Sequence, residues 1–141
     1  MKVYKFGGAS VKDAAAVRNV AAILQDFEEN PLLVVISAMG KTTNALENVL
    51  NLAWKDENFD TALQESKDYH TNILADLLPN KNLAIWKEID KIFDDIAYKL
   101  VSSKKDSYDF LYDQVVGYGE ILSTKIVSAY LSIFGYAHIW Y

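Results

Sequence analysis

Residues 3–10, with the sequence VYKFGGAS, join four strand-forming positions directly to a pair of glycines. Residues 3–6 are short, rich in β-forming side chains and stopped by those glycines, which predicts a buried strand that ends in a tight turn. The missing side chains leave the main chain open to close approach. Ser10 stands where a helix N-cap belongs, with Asp13 three residues later as a capping-box partner.

A helix and a second strand are predicted to follow this turn. Apolar residues recur at helical spacing from Val17 to Phe27, and the helix is expected to reach about Glu28. Leu32 to Ile36 is a continuous aliphatic run, typical of a strand that is covered on both faces. Strand, helix and strand in this order predict a βαβ unit and therefore a parallel sheet.

The remainder of the chain is predicted to be mostly helical. Two expected helices start at Thr42 or Thr43 and at Asp60, and three more run over 83–101, 107–116 and 120–134. Trp54 and Trp86 are expected inside the core. A polar loop covers 102–106, and Gly135 is expected as the C′ residue of the last helix. Ala137 to Tyr141 resembles a third strand. Because this strand stops without a polar tail, we expect the chain to be a fragment, the alternative being a complete domain.

The overall composition describes a globular protein. The 141 residues are 51% hydrophobic and 23% charged, with a net charge of −5 that disfavours nucleic-acid binding. The absence of cysteine excludes disulfides and thiolate metal sites and favours a reducing compartment. The N-terminus is not expected to be a secretory signal, because Lys5 and two glycines come before an apolar h-region could form. The apolar stretch 126–141 is too short and too interrupted to span a bilayer. We therefore expect a cytoplasmic protein with no membrane or nucleic-acid partner.

The first candidate site is Lys5-Phe6-Gly7-Gly8-Ala9-Ser10. A strand, a glycine turn and a helix start form a common anion site, because backbone N–H groups and the helix dipole attract negative charge. Lys5 adds a full positive charge beside these groups, as phosphoryl transfer requires. The alternative is a tight turn beside a solvated lysine.

The second candidate site is the segment 37–44, with the sequence SAMGKTTN, between the second strand and the next helix. It contains Gly-Lys-Thr but is not a P-loop, because that motif needs a glycine where Val35 stands. What remains is a hydroxyl-rich loop beside the first one. Ligands of open α/β sheets collect at this edge, which favours a small-molecule site over a simple helix cap.

The third candidate site is Gly117-Tyr118-Gly119-Glu120. It is not a dinucleotide fingerprint, because Leu122 occupies the place of the third glycine. Glu120 either interacts with the dipole of its own helix or provides a carboxylate for an amino group or for Lys5. His70, on a helix, and His138, in the third strand, are interpreted as structural or exposed, with no spacing that indicates a shared metal.

Taken together and in this order, the three motifs resemble those of aspartokinases in the amino acid kinase superfamily. The matching segments are Lys5 to Val11, Ser37 to Asn44 and Gly119 to Ser123, and the resemblance covers essentially the whole chain. It implies an αβα sandwich of the carbamate kinase-like type with a mostly parallel sheet. Residues 1–141 would be the truncated N-terminal, amino-acid-binding part of the catalytic domain, without its nucleotide-binding half or regulatory domains.

The resemblance also implies an activity, the transfer of the γ-phosphoryl group of ATP to the side-chain carboxylate of L-aspartate. Lys5 would be catalytic and would bind phosphate together with Gly7, Gly8, Ser10 and Ser37. Thr43 and Glu120 would hold aspartate, with Glu120 receiving the α-ammonium group. Mg²⁺ would arrive on the nucleotide and not on a protein site. The full-length enzyme would be a cytoplasmic homo-oligomer of amino-acid biosynthesis that leads to lysine, threonine and methionine.

One departure from the family pattern is Ala9, which stands where the family has threonine. The loss of that hydroxyl puts loop order or substrate contact in doubt. Two other interpretations stay open. One is a superfamily member that acts on glutamate, acetylglutamate or a nucleoside monophosphate. The other is a non-catalytic binding or assembly module, which would show an exposed apolar stripe on the helix over 83–101.

Overall fold

A computed structural model describes residues 1–27, 31–103 and 106–141 of the chain. The strands are β1 (Lys2–Phe6) and β2 (Leu32–Ile36); a short 3-10 turn covers Gly8–Val11, and the helices are α1 (Ala14–Gln25), α2 (Thr42–Trp54), α3 (Asp60–Leu77), α4 (Ala84–Ser102), α5 (Tyr108–Val116) and α6 (Tyr118–Ile133). In the described part of the chain, no helix combines the length and apolar character needed to cross a membrane.

The βαβ unit forms as predicted. Strands β1 and β2 pair in parallel, with Lys5 opposite Val35 and Phe6 opposite Ile36. Both strands therefore end at the same level, and the segments that follow them start side by side. An α-rich chain with a parallel two-stranded sheet is consistent with the α/β fold class expected from the sequence.

The helices bury one continuous core. α2 contacts each of the helices from α3 to α6, and α6 also packs against β2. The apolar stripe predicted for α4 is confirmed, because the side chains at three- and four-residue spacing are buried, namely Ile85, Trp86, Ile89, Ile92, Phe93, Ile96 and Leu100. The Trp86 indole N–H donates to the carbonyl oxygen of Leu78 at 3.1 Å, so this buried donor is satisfied.

The prediction that β2 is covered on both faces is wrong. Leu33 and Val35 are each 42% exposed, and Val3 on the neighbouring strand is 57% exposed. The helices of the described residues cover only the other face of the sheet, where Ile36 is buried. An aliphatic run in the sequence shows that a strand is apolar, but it does not show which face the same chain covers.

The start of α1 differs from the predicted cap. Asp13, and not Ser10, is the N-cap of α1, and its Oδ1 accepts from the amide of Ala16 at 2.8 Å. Ser10 lies in the 3-10 turn, where its amide donates to Gly7 O at 2.9 Å. The helix therefore starts three residues later than the paired-glycine pattern indicates. Its predicted end near Glu28 lies outside the described residues, and so does part of the polar loop over 102–106.

The starts of α2 and α3 also lack the predicted side-chain caps. The N-cap positions are Lys41 and Phe59, and neither makes a capping hydrogen bond through its side chain. Thr42 instead donates its hydroxyl to Met39 O. Trp54, predicted to lie in the core, is 44% exposed and packs edge-on against Tyr108.

The predicted third strand does not form in the described residues. Residues 137–141 pair with neither strand and pack against α6 instead. His138 Nε2 lies 2.7 Å from Ser128 Oγ, and the ammonium group of Lys125 lies 4.1 Å from the centre of the Trp140 ring. An apolar segment becomes a strand only where a neighbouring strand offers its hydrogen bonds, and here side-chain contacts with a helix hold it.

The turn that leads into this segment does follow the prediction. Gly135 has φ +88°, the left-handed conformation that favours glycine at C′. Its amide donates to Ser132 O at 3.3 Å, and the amide of Tyr136 donates to Leu131 O at 2.9 Å. These two bonds form a Schellman motif, which ends α6 and returns the chain over it.

Candidate functional site

Lys5 lies near the end of β1 on the exposed face of the sheet. Side chains alternate along the strand, so Lys5 shares this face with Val3, while Tyr4 and Phe6 turn toward the helices. Among the described residues the ammonium group of Lys5 has no hydrogen bond or ion pair. It is therefore available to a ligand at the carboxyl edge of the sheet.

The first loop, residues 7–13, connects β1 to α1. Gly7 is extended, with φ −75° and ψ 171°, and Gly8 begins the 3-10 turn. The expected contribution of the α1 dipole is reduced because the carboxylate of Asp13 already caps that helix. An anion at this loop would therefore bind mainly to amide groups near the glycines and to the charge of Lys5.

The second loop, residues 37–41, connects β2 to α2 and lies against the first. The amide of Ser37 donates to Phe6 O at 3.0 Å, and the amide of Gly40 donates to Gly8 O at 3.0 Å. A Cβ added to Gly8 would lie 2.7 Å from Ala38 O and 2.9 Å from Gly40 O. Since ordinary contacts lie at 3.4–4 Å, only glycine fits between the two loops at this point.

The third segment is the first turn of α6. Gly119 is buried, and a Cβ added there would lie 3.0 Å from Ala38 Cβ and 3.4 Å from Thr42 Cγ2. The α6 N-terminus therefore packs directly on the second loop and the start of α2. Glu120, the next residue, is exposed, and its carboxylate has no partner within the described residues.

These contacts bring together the three segments that carry the candidate residues. The first segment, from the end of β1 through the first loop, provides Lys5, Gly7, Gly8 and Ser10. The second loop and the start of α2 provide Ser37 and Thr43, and the first turn of α6 provides Glu120. The side chains of Ser10, Ser37 and Thr43 make no hydrogen bond with any described residue. The structure thus brings the three segments together at one sheet edge, while the roles of their individual side chains stay predictions.

The surroundings of the two loops carry further positive charge. Lys12 and Lys41 are exposed at the ends of the first and second loops. With Lys5 they give this edge three ammonium groups in a chain whose net charge is −5. Local charge of this kind attracts a phosphorylated or carboxylated ligand although the whole chain repels anions. The described residues hold no cluster of three or more His, Asp or Glu that could bind a metal.

Two residues of α3 support the loops, a role that was not predicted from the sequence, although His70 was interpreted as structural or exposed. The hydroxyl of Tyr69 donates to Lys12 O in the first loop. His70 is fully buried, with Nδ1 2.7 Å from Ser66 O and Nε2 3.2 Å from Thr42 Oγ1 beside the second loop. Burial lowers the pKa of His70, and the bond to Ser66 O opposes this effect more weakly. Burial also raises the pKa of Tyr69, with a smaller contribution from the charge of Asp13.

The sequence matches one protein family and several of its characterised members. The model of the amino acid kinase family matches residues 1–140. The chain is 31% identical to the bifunctional aspartokinase/homoserine dehydrogenase 2 of Escherichia coli (strain K12), over 99% of this chain and 17% of that protein. It is 32% identical to the chloroplastic aspartokinase 1 of Arabidopsis thaliana, over 94% of this chain and 24% of that protein.

Solved structures give the same grouping. The crystal structure of E. coli aspartokinase III in complex with lysine and aspartate matches with a TM-score of 0.79 and 27% identity, over 97% of this chain and 30% of that one. The same enzyme in complex with aspartate and ADP matches with a TM-score of 0.77 and 28% identity, over 96% of this chain and 29% of that one. The chain thus spans less than a third of each relative and each structure compared.

Proposed function

From the premise that this chain belongs to the amino acid kinase family, we propose that it is the amino-acid-binding part of an aspartate kinase. The reaction is the transfer of the γ-phosphoryl group of ATP to the side-chain carboxylate of L-aspartate, which gives 4-phospho-L-aspartate and ADP. The observation that carries the proposal is the meeting of the two glycine-containing loops and the α6 N-terminus at the edge of the sheet where β1 and β2 end, one residue after Lys5. The aspartokinase names of the relatives, and the aspartate and ADP bound to E. coli aspartokinase III, support this choice of substrates.

In this proposal the phosphate groups of ATP bind mainly to the end of β1 and the first loop. Lys5 neutralises charge on the transferring phosphoryl group, and the backbone amides of Gly7 and Gly8 donate to it. Ser10 and Ser37 donate their hydroxyls to phosphate oxygens. These contacts matter most in the transition state, where charge spreads over the transferred group. Mg²⁺ is proposed to arrive bound to ATP, where it would neutralise phosphate charge.

The other two segments hold the acceptor. Thr43 donates a hydrogen bond to aspartate, and Glu120 pairs with its α-ammonium group. The attacking atom is a side-chain carboxylate oxygen of the substrate, which is ionised at neutral pH and needs no general base. It forms the new P–O bond while the bond from the γ-phosphorus to the β,γ-bridging oxygen breaks. Catalysis therefore depends on orientation and on charge stabilisation.

We also propose that residues beyond this chain complete the enzyme. The chain spans only 17% and 24% of its two quoted relatives, and the outer face of its sheet exposes Val3, Leu33 and Val35. The remainder of the catalytic domain would cover this face and bind the adenine and ribose of ATP. Residues 1–141 alone would accordingly form no acyl phosphate. Homo-oligomerisation and a cytoplasmic location stay predictions.

The test is a hydroxylamine trapping assay for aspartyl phosphate on the complete gene product that contains this sequence. Lys5→Ala is expected to lower kcat at least about a hundredfold, the scale of one electrostatic stabiliser. Lys87→Ala is the matched control, since Lys87 is an exposed lysine on α4 without a partner among the described residues. Near-normal turnover of Lys5→Ala would remove Lys5 from its proposed role.

The same assay separates the alternatives. Glutamate, acetylglutamate and nucleoside monophosphates are offered in place of aspartate, and preferred turnover of one of them would replace the proposed acceptor. The non-catalytic interpretation predicted an exposed apolar stripe on the fourth helix. Besides the buried stripe, the large apolar side chains exposed on α4 are Tyr98 and Val101, both near its end, and two residues do not form a stripe. No observation therefore favours that alternative.

A further inference from the structure

Two consecutive side chains of α3 contact the first loop and the first residue of α2, which directly follows the second loop. Tyr69 reaches the first loop and His70 reaches the start of α2 beside the second. The two aromatic rings stand nearly perpendicular, at 84°, with centroids 5.1 Å apart. Each side chain therefore limits the motion of the other, and both are held on one helical element.

Tyr69 lies between the two loops. Its hydroxyl donates to the carbonyl oxygen of Lys12, 57 residues away in the sequence. A Cβ added to Gly40 would lie 2.6 Å from the same hydroxyl oxygen, and Gly40 has φ +53°. The hydroxyl thus bonds to the first loop and occupies the space that a side chain of the second loop would need.

His70 connects α3 to the start of α2. Because Ser66 O is an acceptor, the nitrogen at 2.7 Å from it, Nδ1, carries a proton. In the neutral ring Nε2 is then an acceptor that faces Thr42 Oγ1 at 3.2 Å. The same hydroxyl lies 2.6 Å from Met39 O. Neutral His70 and Met39 thus compete for one hydroxyl hydrogen, which holds Thr42 between them.

We propose that Tyr69 and His70 are positioning residues of the site, which set the separation and orientation of its two loops without touching substrate. The kinetic consequence rests on the proposed kinase function. Tyr69 acts on the first loop, and so on the phosphate groups of ATP. His70 acts through Thr42 on the adjacent Thr43, and so on aspartate. If the two side chains only filled the core, their loss would change KM for ATP and KM for aspartate equally.

The first test is Tyr69→Phe in the complete gene product, which removes one oxygen atom and preserves the packed ring. We expect KM for ATP to rise about three- to tenfold, the scale of one lost hydrogen bond, with KM for aspartate within about twofold. Tyr98→Phe is the control, since Tyr98 is 72% exposed and its hydroxyl bonds to no described residue. If KM for ATP and KM for aspartate change equally, or if neither changes, the assignment of Tyr69 is overturned.

The second test is a double-mutant cycle with His70→Asn and Thr42→Val. We expect each variant to raise KM for aspartate about three- to tenfold and the double variant to do no worse than either, because both changes break one chain of contacts. His138→Asn is the control for a hydrogen-bonded histidine on another surface. Additive effects, or an equal rise of KM for ATP, would overturn the assignment of His70.

A third measurement does not depend on activity. Amide hydrogen exchange is compared over residues 8–13 and 37–43 in the same variants. Tyr69→Phe is expected to accelerate exchange mainly in the first range, and Thr42→Val and His70→Asn mainly in the second. Unchanged exchange in both ranges would overturn the positioning role while leaving the kinase proposal intact. Absence of wild-type kinase activity together with these exchange changes would refute only the kinase proposal.

Discussion

At Gly8 the backbone of the second loop leaves no room for a side chain. In Gly8→Ala the new methyl group would lie 2.7 Å from Ala38 O and 2.9 Å from Gly40 O. Both atoms are backbone, so relief requires the two loops to separate by about 0.7 Å to reach ordinary contact, which is a severe form of overpacking. Overpacking typically costs about 1–3 kcal/mol, and the strained Gly40–Gly8 hydrogen bond contributes about 1 kcal/mol more.

We therefore expect Gly8→Ala to lower the free energy of unfolding by about 2–4 kcal/mol. With a urea m-value of about 2 kcal/mol/M, the midpoint of unfolding falls by about 1–2 M. The matched control is Gly7→Ala, because a Cβ at Gly7 meets nothing within 4 Å and its backbone is extended. That variant should keep its midpoint or gain up to about 1 kcal/mol through the unfolded state.

Urea unfolding followed by circular dichroism measures both variants under the same conditions. If the two alanines shift the midpoint equally, the contact between the loops does not determine the requirement for glycine at Gly8. If Gly8→Ala is as stable as the wild type, the backbone approach described here is absent from the protein in solution. Either result would refute the reasoning.

Two further predictions concern stability. Burial lowers the pKa of His70 in the folded protein below its ordinary value of 6.5, so the unfolded chain takes up the proton first as pH falls. The free energy of unfolding should therefore decrease below pH 6.5, by up to about 1.4 kcal/mol per pH unit. The decrease ends where the folded ring also takes up a proton. Urea titrations between pH 7 and 5 check this, and a slope unchanged in His70→Asn would contradict it. Gly135→Ala should lower the free energy of unfolding by about 1–2 kcal/mol. The cause is conformational, because φ at Gly135 is +88° and an added Cβ would meet no neighbour within 4 Å. Gly135→Asn should lower this free energy less, since asparagine adopts the left-handed conformation more readily. The same unfolding assay compares them, and equal losses would argue against a purely conformational cause.

Local sequence signals predicted the elements that define the fold. The paired glycines after residues 3–6 and the aliphatic run at 32–36 located both strands within a residue. The apolar spacing of α4 located that helix and its buried side to within a residue or two. These signals succeed because strand and helix periodicities are properties of neighbouring residues.

Features that depend on distant partners could not be predicted in the same way. The segment 137–141 has strand-like composition, yet the contacts of His138 and Trp140 with α6 determine its path. Trp54 has core spacing but lies where no described element covers it fully. Tyr69 and His70 act on groups 57 and 28 residues away, and no local pattern in a single sequence indicates such pairs.

The parallel pairing of β1 with β2 also limits how this region can change in length. One residue inserted within β2 would slide its following loop by about 3.3 Å along the strand direction and exchange the side chains between the two faces. Gly40 would then no longer be level with Gly8, and the apolar side chains of the strand would point the wrong way. The two strands can therefore change length only together.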